Sequence, residues 1–399
     1  MSLQTPISPA SEPPPPLVPR QIRLRIDPLL VLAAIGLVAC SVIVLKGATA
    51  DDIPGNPHYY VVRQLTFGAV GLVLMYGMSR LDYSRLRELK YVLYGFMIAS
   101  IVVVYALGTA SHGSRRWIPT PFFNLQPSEL GKLLLVVALS SFLVDRMRRP
   151  GRETTVRVML LALFPAMLVM AQPDLGSSLV YVAGAIALLV VAGTPWRHLA
   201  ALGALGAVAI ALTLVALPAA GVHVLKPYQV DRLTSFLHPS DVAGKEGYQQ
   251  QQSKIAIGSG EKTGRGVEHA TQTGLNFLPE HHTDFVFSVV GETFGFAGAA
   301  LVLSLYALLI WRTLRIITLA KNLFGALIAG GILAMLMYQV FVNVGMTIGI
   351  MPITGVTLPL MSFGGASYLT TFLALGLLQS IHVQGRIAQT SKGRALVLS

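Results

Sequence analysis

The chain has 399 residues, of which 53% are hydrophobic and only 12% charged. Soluble domains carry about a quarter charged residues, so a single water-soluble globule is excluded in favour of an integral membrane protein. The net charge of +12 is spread among loops, which fits a protein lying against anionic lipid and argues against nucleic acid as a partner.

Residues 1–20, with Pro13-Pro-Pro-Pro16, read as a disordered cytoplasmic tail. The rest, 21–385, reads as one transmembrane domain, followed by a short C-terminal tail at 386–399. A helix crossing a bilayer needs about 20 apolar residues. That criterion predicts about ten spans, near 28–46, 63–80, 89–108, 128–144, 156–172, 177–194, 198–218, 285–311, 322–348 and 364–382. The predicted fold class is therefore an all-α polytopic membrane protein. The first span is too long for a cleaved signal and is expected to stay. Cys40 is the one cysteine, so neither a disulfide framework nor a cysteine-based metal site is expected.

Basic residues fall in alternate loops: Arg20, Arg23 and Arg25; Arg80, Arg85, Arg87 and Lys90; Arg146, Arg148, Arg149, Arg152 and Arg157; Arg312, Arg315 and Lys321; Arg386, Lys392 and Arg394. Cytoplasmic loops attract such an excess, so both termini are expected inside. The opposite face then holds 109–127, the turn at Asp174, a long loop at 219–284 between spans seven and eight, and the uncharged 349–363.

Four outer-face motifs can carry chemistry. Arg115-Arg116-Trp117 is followed by Gln126-Pro-Ser-Glu-Leu-Gly-Lys132, where Pro127 precedes a helix, Ser128 can cap it, and Glu129 and Lys132 share a helix face. This reads equally as a capped helix start or as charges lining a substrate path. Gln172-Pro-Asp-Leu-Gly-Ser177 reads first as a tight turn in which Asp174 caps the next helix. In the long loop, the glycines of 255–266 allow close backbone approach, and Lys254, Lys262 and Arg265 make phosphate binding a weak second reading. The fourth motif, Phe277-Leu-Pro-Glu-His-His-Thr-Asp-Phe-Val-Phe287, places Asp284 where a span leaves water. Thr283 can cap that helix and Asp284 can merely complement its dipole, or the carboxylate can serve as a base. Adjacent His281 and His282 cannot easily share an ion, and no third ligand is spaced for one. Glu292, eight residues after Asp284, is expected on the same helical face and thus in the same polar cavity.

Together these strings resemble the SEDS family (shape, elongation, division and sporulation), in the form typical of its elongation members. The match is carried by Gln252-Ser-Lys-Ile-Ala-Ile-Gly-Ser-Gly260, Thr271-Gln-Thr273, Asn276 through Phe285, Gln126 through Glu129 with Lys132, Gln172 through Gly176, and Asn343 through Ser367. Phe363, Ala366, Thr293 and Ala270 depart from the usual pattern. The resemblance implies a peptidoglycan glycosyltransferase of the bacterial cytoplasmic membrane that polymerises lipid II on the outer face, during elongation. It implies Asp284 as the catalytic base. Arg116, Glu129, Lys132, Asp174, Lys254, His282 and Thr283 are the expected substrate-binding residues. It also implies a class B penicillin-binding protein and other elongation-complex membrane proteins as partners. A divalent cation, Mg²⁺ or Mn²⁺, is expected to be held mainly by the substrate pyrophosphate, with no organic cofactor. The rival readings are a lipid II flippase, whose polar path would run through the bilayer, and a noncatalytic scaffold.

Overall fold

The computed structural model describes residues 26–50, 52–111, 114–120, 123–146, 151–213, 218, 245–274, 277–278 and 280–397. The proline-rich tail, Arg20, Arg23, Arg25, Arg148, Arg149, Asn276 and most of the long loop before Lys245 lie outside the described residues.

Apolar helices dominate, as expected. In chain order they are α1 (Pro28–Ala48), α2 (Tyr59–Arg80), α3 (Lys90–Leu107), α4 (Pro127–Arg146), α5 (Arg152–Ala171), α6 (Leu175–Val191) and α7 (Trp196–Ala211). Then follow α8 (Lys245–Ser259), the one-turn α9 (Thr271–Gly274), α10 (Val286–Leu319), α11 (Leu323–Ile348) and α12 (Gly365–Val397). Eight of these are long and apolar enough to cross a membrane, while α6 and α7 are shorter apolar helices. All ten expected spans thus correspond to helices, although α10 and α12 run well past their expected ends at 311 and 382. The all-α expectation missed a small antiparallel sheet, β1 (Thr109–Ser111), β2 (Ser114–Pro119) and β3 (Asn124–Leu125), between α3 and α4.

Local chemistry sets the helix ends. Asp27 caps α1 by accepting from the Leu29 and Leu30 amides, with Pro28 at the first helical position. Asn322 caps α11, which stops at Gly349 in the left-handed conformation. Pro127 does not precede α4 but is its first residue, so Ser128 lies inside the helix and its hydroxyl makes no cap.

The main core joins α1, α2, α4, α10, α11 and α12. Helices α2 and α12 approach closely because small residues face large ones; a Cβ on Gly71 would overlap the Phe372 ring at 2.1 Å. A second core holds α3 to α6 together around Met97, Leu135 and Tyr181. Large side chains such as Val73, Phe296 and Tyr91 stay more than 70% exposed, which suits a lipid-facing perimeter.

Helix α8 docks from the long loop between α10 and α11. Ser253 meets Ser288 at 2.6 Å and donates to the Thr347 carbonyl at 2.7 Å. The glycines after α8 serve this docking. At Gly295, α10 breaks its helical conformation (φ 61°), and the exposed backbone of residues 292–297 pairs with residues 261–266. Gly264 sits there at φ 85° with a Cβ position 2.2 Å from the Thr293 carbonyl. Gly264→Ala is therefore expected to lower thermal stability by about 1–3 kcal/mol, from left-handed strain plus the backbone clash. An unchanged melting temperature would show that the seam carries little of the fold.

Candidate active site

The end of the bundle at which α10 begins holds a cavity of about 620 Å³, within the range of small-ligand sites. Its wall takes Tyr60, Arg63 and Phe67 from α2, Arg116 from β2, Gln126 and Glu129 at the start of α4, and Asp174. The lining is completed by Glu280, His282, Thr283 and Asp284, by Gly355, Thr357 and Phe363 of the segment between α11 and α12, and by Ser367 in the first turn of α12.

Asp284 lies in the turn just before α10 and is half-buried. Its backbone carbonyl accepts from Asn343 Nδ2 at 2.9 Å, and the same amide group donates to the Val356 carbonyl at 2.8 Å. One fully buried asparagine thus ties the acid's turn to the segment between α11 and α12. Gly355, at φ 71°, comes close enough that a Cβ would stand 3.4 Å from Asp284 Oδ2. The left-handed backbone, rather than the space beside the carboxylate, is what calls for glycine here. Phe285, Leu278, Ala256, Met346 and Ile353 pack beneath as a small separate core.

Glu129 and Lys132 form a buried ion pair at 2.6 Å. Both are less than 7% exposed, and of the two only Glu129 lines the cavity. Lys132 thus stands behind Glu129, out of the lining. Asp174 does what the turn reading required: its Oδ1 accepts from the Ser177 amide at 3.0 Å and caps α6. Its Oδ2 accepts from Gln126 Nε2 at 2.9 Å, while Arg116 stands 3.9 Å away on the cavity side.

Three expectations are corrected by geometry. Thr283 does not cap α10; its hydroxyl donates backward to Glu280 Oε2 at 2.7 Å, and Phe285 occupies the cap position. Glu292 does not reach the cavity. It is fully buried, and its carboxylate accepts from the Gln272 and Thr273 amides and the Thr273 hydroxyl at 2.7 to 3.1 Å. An acid there fastens the N-terminus of α9 to the span. Lys254 lies away from the cavity lining, exposed, against Gly349.

His281 and His282 face differently from what adjacency suggests. His281 is buried, with Nδ1 2.8 Å from the Leu278 carbonyl and Nε2 3.2 Å from Asp52 Oδ2. Asp52 is the third potential ligand that spacing could not show: one atom each of Asp52, His281 and His282 lie within 4.8 Å. Two imidazoles and a carboxylate suit a borderline transition metal; Mg²⁺ prefers all-oxygen surroundings. His282 packs against the Tyr60 ring in a tilted arrangement, with centroids 4.8 Å apart, and lines the cavity. Burial holds its imidazole below the usual range, with His281 adding to the effect and Glu280 and Asp52 opposing it. A neutral ring at pH 7 is a hydrogen-bonding wall, not a cation for a phosphate. The cationic groups on the wall are Arg63 and Arg116. Sequence reading missed Tyr60, Arg63, Phe67 and Glu280 as wall residues.

A polytopic helical membrane protein with a large polar cavity, walled by acids and arginines at the end of its spans, is thereby defined. The chain belongs to the FtsW/RodA/SpoVE family of cell cycle proteins, whose family model matches residues 23–387. It is 35% identical over 369 residues to the peptidoglycan glycosyltransferase MrdB of Escherichia coli, covering 92% of this chain and 96% of that one. It is 31% identical to the peptidoglycan glycosyltransferase RodA of Treponema pallidum, over 90% and 98% of the two chains. Among solved structures it is similar to a chain from work on the structural coordination of polymerization and crosslinking by a peptidoglycan synthase complex. That likeness has TM-score 0.77 at 33% identity, covering 91% of this chain and 99% of that one. Thermus thermophilus rod shape determining protein RodA is also similar, with TM-score 0.65 at 30% identity over 90% and 97%.

Proposed function

We propose that this protein is a peptidoglycan glycosyltransferase that polymerises lipid II into glycan strands during cell elongation, with Asp284 as general base. The observation that carries the reading is the half-buried Asp284 carboxylate on the wall of a 620 Å³ cavity that Glu129 and Arg116 also line. Joining two sugars requires a GlcNAc 4-hydroxyl to attack the anomeric carbon of a MurNAc that carries undecaprenyl pyrophosphate. The hydroxyl is a weak nucleophile, and a carboxylate that accepts its proton as the bond forms lowers that barrier. A β-linked product from an α-linked donor requires one inverting displacement, so no covalent enzyme intermediate is needed.

The leaving pyrophosphate gathers negative charge, and Arg63 and Arg116 are the cations on the wall. Lys132 holds the Glu129 carboxylate in place at 2.6 Å. A divalent cation carried by the pyrophosphate would neutralise part of that charge. Glu280 and Asp284, with Glu129 and Asp174, are the wall carboxylates with the hard-donor character that Mg²⁺ or Mn²⁺ prefers. The two lipid tails remain among the spans.

This reading puts the protein in the bacterial cytoplasmic membrane, with both termini inside and the cavity outside. It also gives the protein a class B penicillin-binding protein and elongation-complex membrane proteins as companions. Purified protein with such a partner, supplied with lipid II in detergent where no sealed membrane exists, should make glycan. A flippase or a scaffold would make none, and that result would end the proposal.

A further inference from the structure

At the far end of α10 lies a second, smaller concavity of about 260 Å³. It is lined by Trp311, Arg312, Arg315, Thr318 and Leu319 of α10 and by Arg386 of α12. Trp311 lies about 15 residues, or about 22 Å of helix, beyond the break at Gly295. Arg312, Arg315, Lys321 and Arg386 gather at this end of α10 and α12, the pattern of a membrane interface, at the end of α10 away from the cavity that holds Asp284.

Its three guanidinium groups are not equivalent. Arg312 is held by the buried carboxylate of Asp27, which accepts from its Nε at 2.8 Å. Asp27 in turn is held by Gln379, through bonds of 2.7 and 2.9 Å to its backbone. Arg315 and Arg386 are exposed and have no ion-pair partner among the described residues. No carboxylate lines the pocket among those residues. The helices are brought together there by Gly385, where a Cβ would stand 2.1 Å from the Leu319 carbonyl. The fold therefore builds a cationic recess with a fixed back wall and two uncompensated charges at its mouth.

Trp311, Leu314, Arg315 and Thr318 recur every three or four residues, on one face of α10. Trp311 and Leu314 are 45% and 48% exposed. Trp311 also lies against both neighbouring arginines, with Arg312 Cζ 5.1 Å and Arg315 Cζ 5.8 Å from its ring. Phosphate-binding groups thus stand directly beside apolar surface at interface depth. A free phosphate uses only the first; a phospholipid uses both. Tryptophan favours this boundary, and basic recesses between helices take anionic headgroups.

We propose that this recess binds the phosphate of an anionic phospholipid headgroup, with Arg315 and Arg386 closing on it against the Arg312–Asp27 wall. The lipid would clamp α10 to α12 at the end of α10 away from the glycosyltransferase cavity.

The test is lipid binding to the full chain in neutral detergent, followed by native mass spectrometry with added phosphatidylglycerol or phosphatidylcholine. Wild type should prefer phosphatidylglycerol. Arg315→Gln/Arg386→Gln should lose about thirtyfold of that preference, as removal of two interfacial charges requires. Arg80→Gln/Arg85→Gln, which removes the same charge from two exposed residues nearer α2, should keep it. Because all four residues are exposed, the variants should elute from size exclusion as wild type does. Equal binding of the two lipids by wild type, or an equal loss in both double variants, would overturn the site. Inorganic phosphate that displaced phosphatidylglycerol at comparable concentration would also overturn it, by making a small anion the ligand. Asp284→Asn should retain the lipid preference in full, so the outcome is independent of the catalytic reading.

Discussion

Asp284→Asn is expected to lower the rate of lipid II polymerisation by about 10²- to 10⁴-fold, the usual contribution of a positioned general base. Asparagine keeps the volume and polarity of the side chain but cannot accept the hydroxyl proton. The turn itself should survive, because Asn343 holds the backbone carbonyl of residue 284 and not its side chain. Melting temperature should therefore stay near wild type while kcat falls. Asp284→Glu should retain more activity than the amide, since it restores the base one methylene out of place. Activity of the amide variant equal to wild type would remove this carboxylate from the reaction.

The largest stability effect is expected at Lys132. Lys132→Met leaves the Glu129 carboxylate less than 7% exposed and without its 2.6 Å partner. Breaking a buried pair in this way costs about 3–5 kcal/mol. The double variant Glu129→Gln/Lys132→Met removes the stranded carboxylate and should regain most of that loss in thermal unfolding. It should still polymerise poorly, because Glu129 lines the cavity. A double variant no more stable than Lys132→Met would show that packing, not charge, is what the pair supplies.

The spans were legible because hydropathy adds along a single segment, and the Glu129–Lys132 pair because a helix sets their spacing. Asp174 was legible for a similar reason: an acid two residues before Gly176 and three before Ser177 meets the first amides of the next helix. The misreadings share one cause. Glu292 was placed in the cavity by counting helical turns from Asp284, but α10 begins only at Val286. The face occupied by Glu292 is instead covered by residues 271–274, whose amides it binds. Thr283 likewise finds Glu280, three residues back, before it can meet a helix that has not yet started.

What could not be read at all came from distant chain. Asp52 meets His281 across more than two hundred residues, and Tyr60 packs against His282. Hydrophobic periodicity marks α2 as a span and says nothing of which end helps to wall a cavity. The sheet at 109–125 was hidden because its strands are short and polar, with no alternating apolar face.

The central claim is that sugar transfer occurs in the cavity lined by Asp284, Glu129 and Arg116. The most direct test is a cryo-EM map of the protein with its transpeptidase partner and a bound lipid pyrophosphate. Density for the pyrophosphate beside Arg63 and Arg116, with the sugar end turned toward the Asp284 carboxylate, is the predicted result. A headgroup lodged elsewhere in the fold, with Asp284 facing only lipid or solvent, would contradict it.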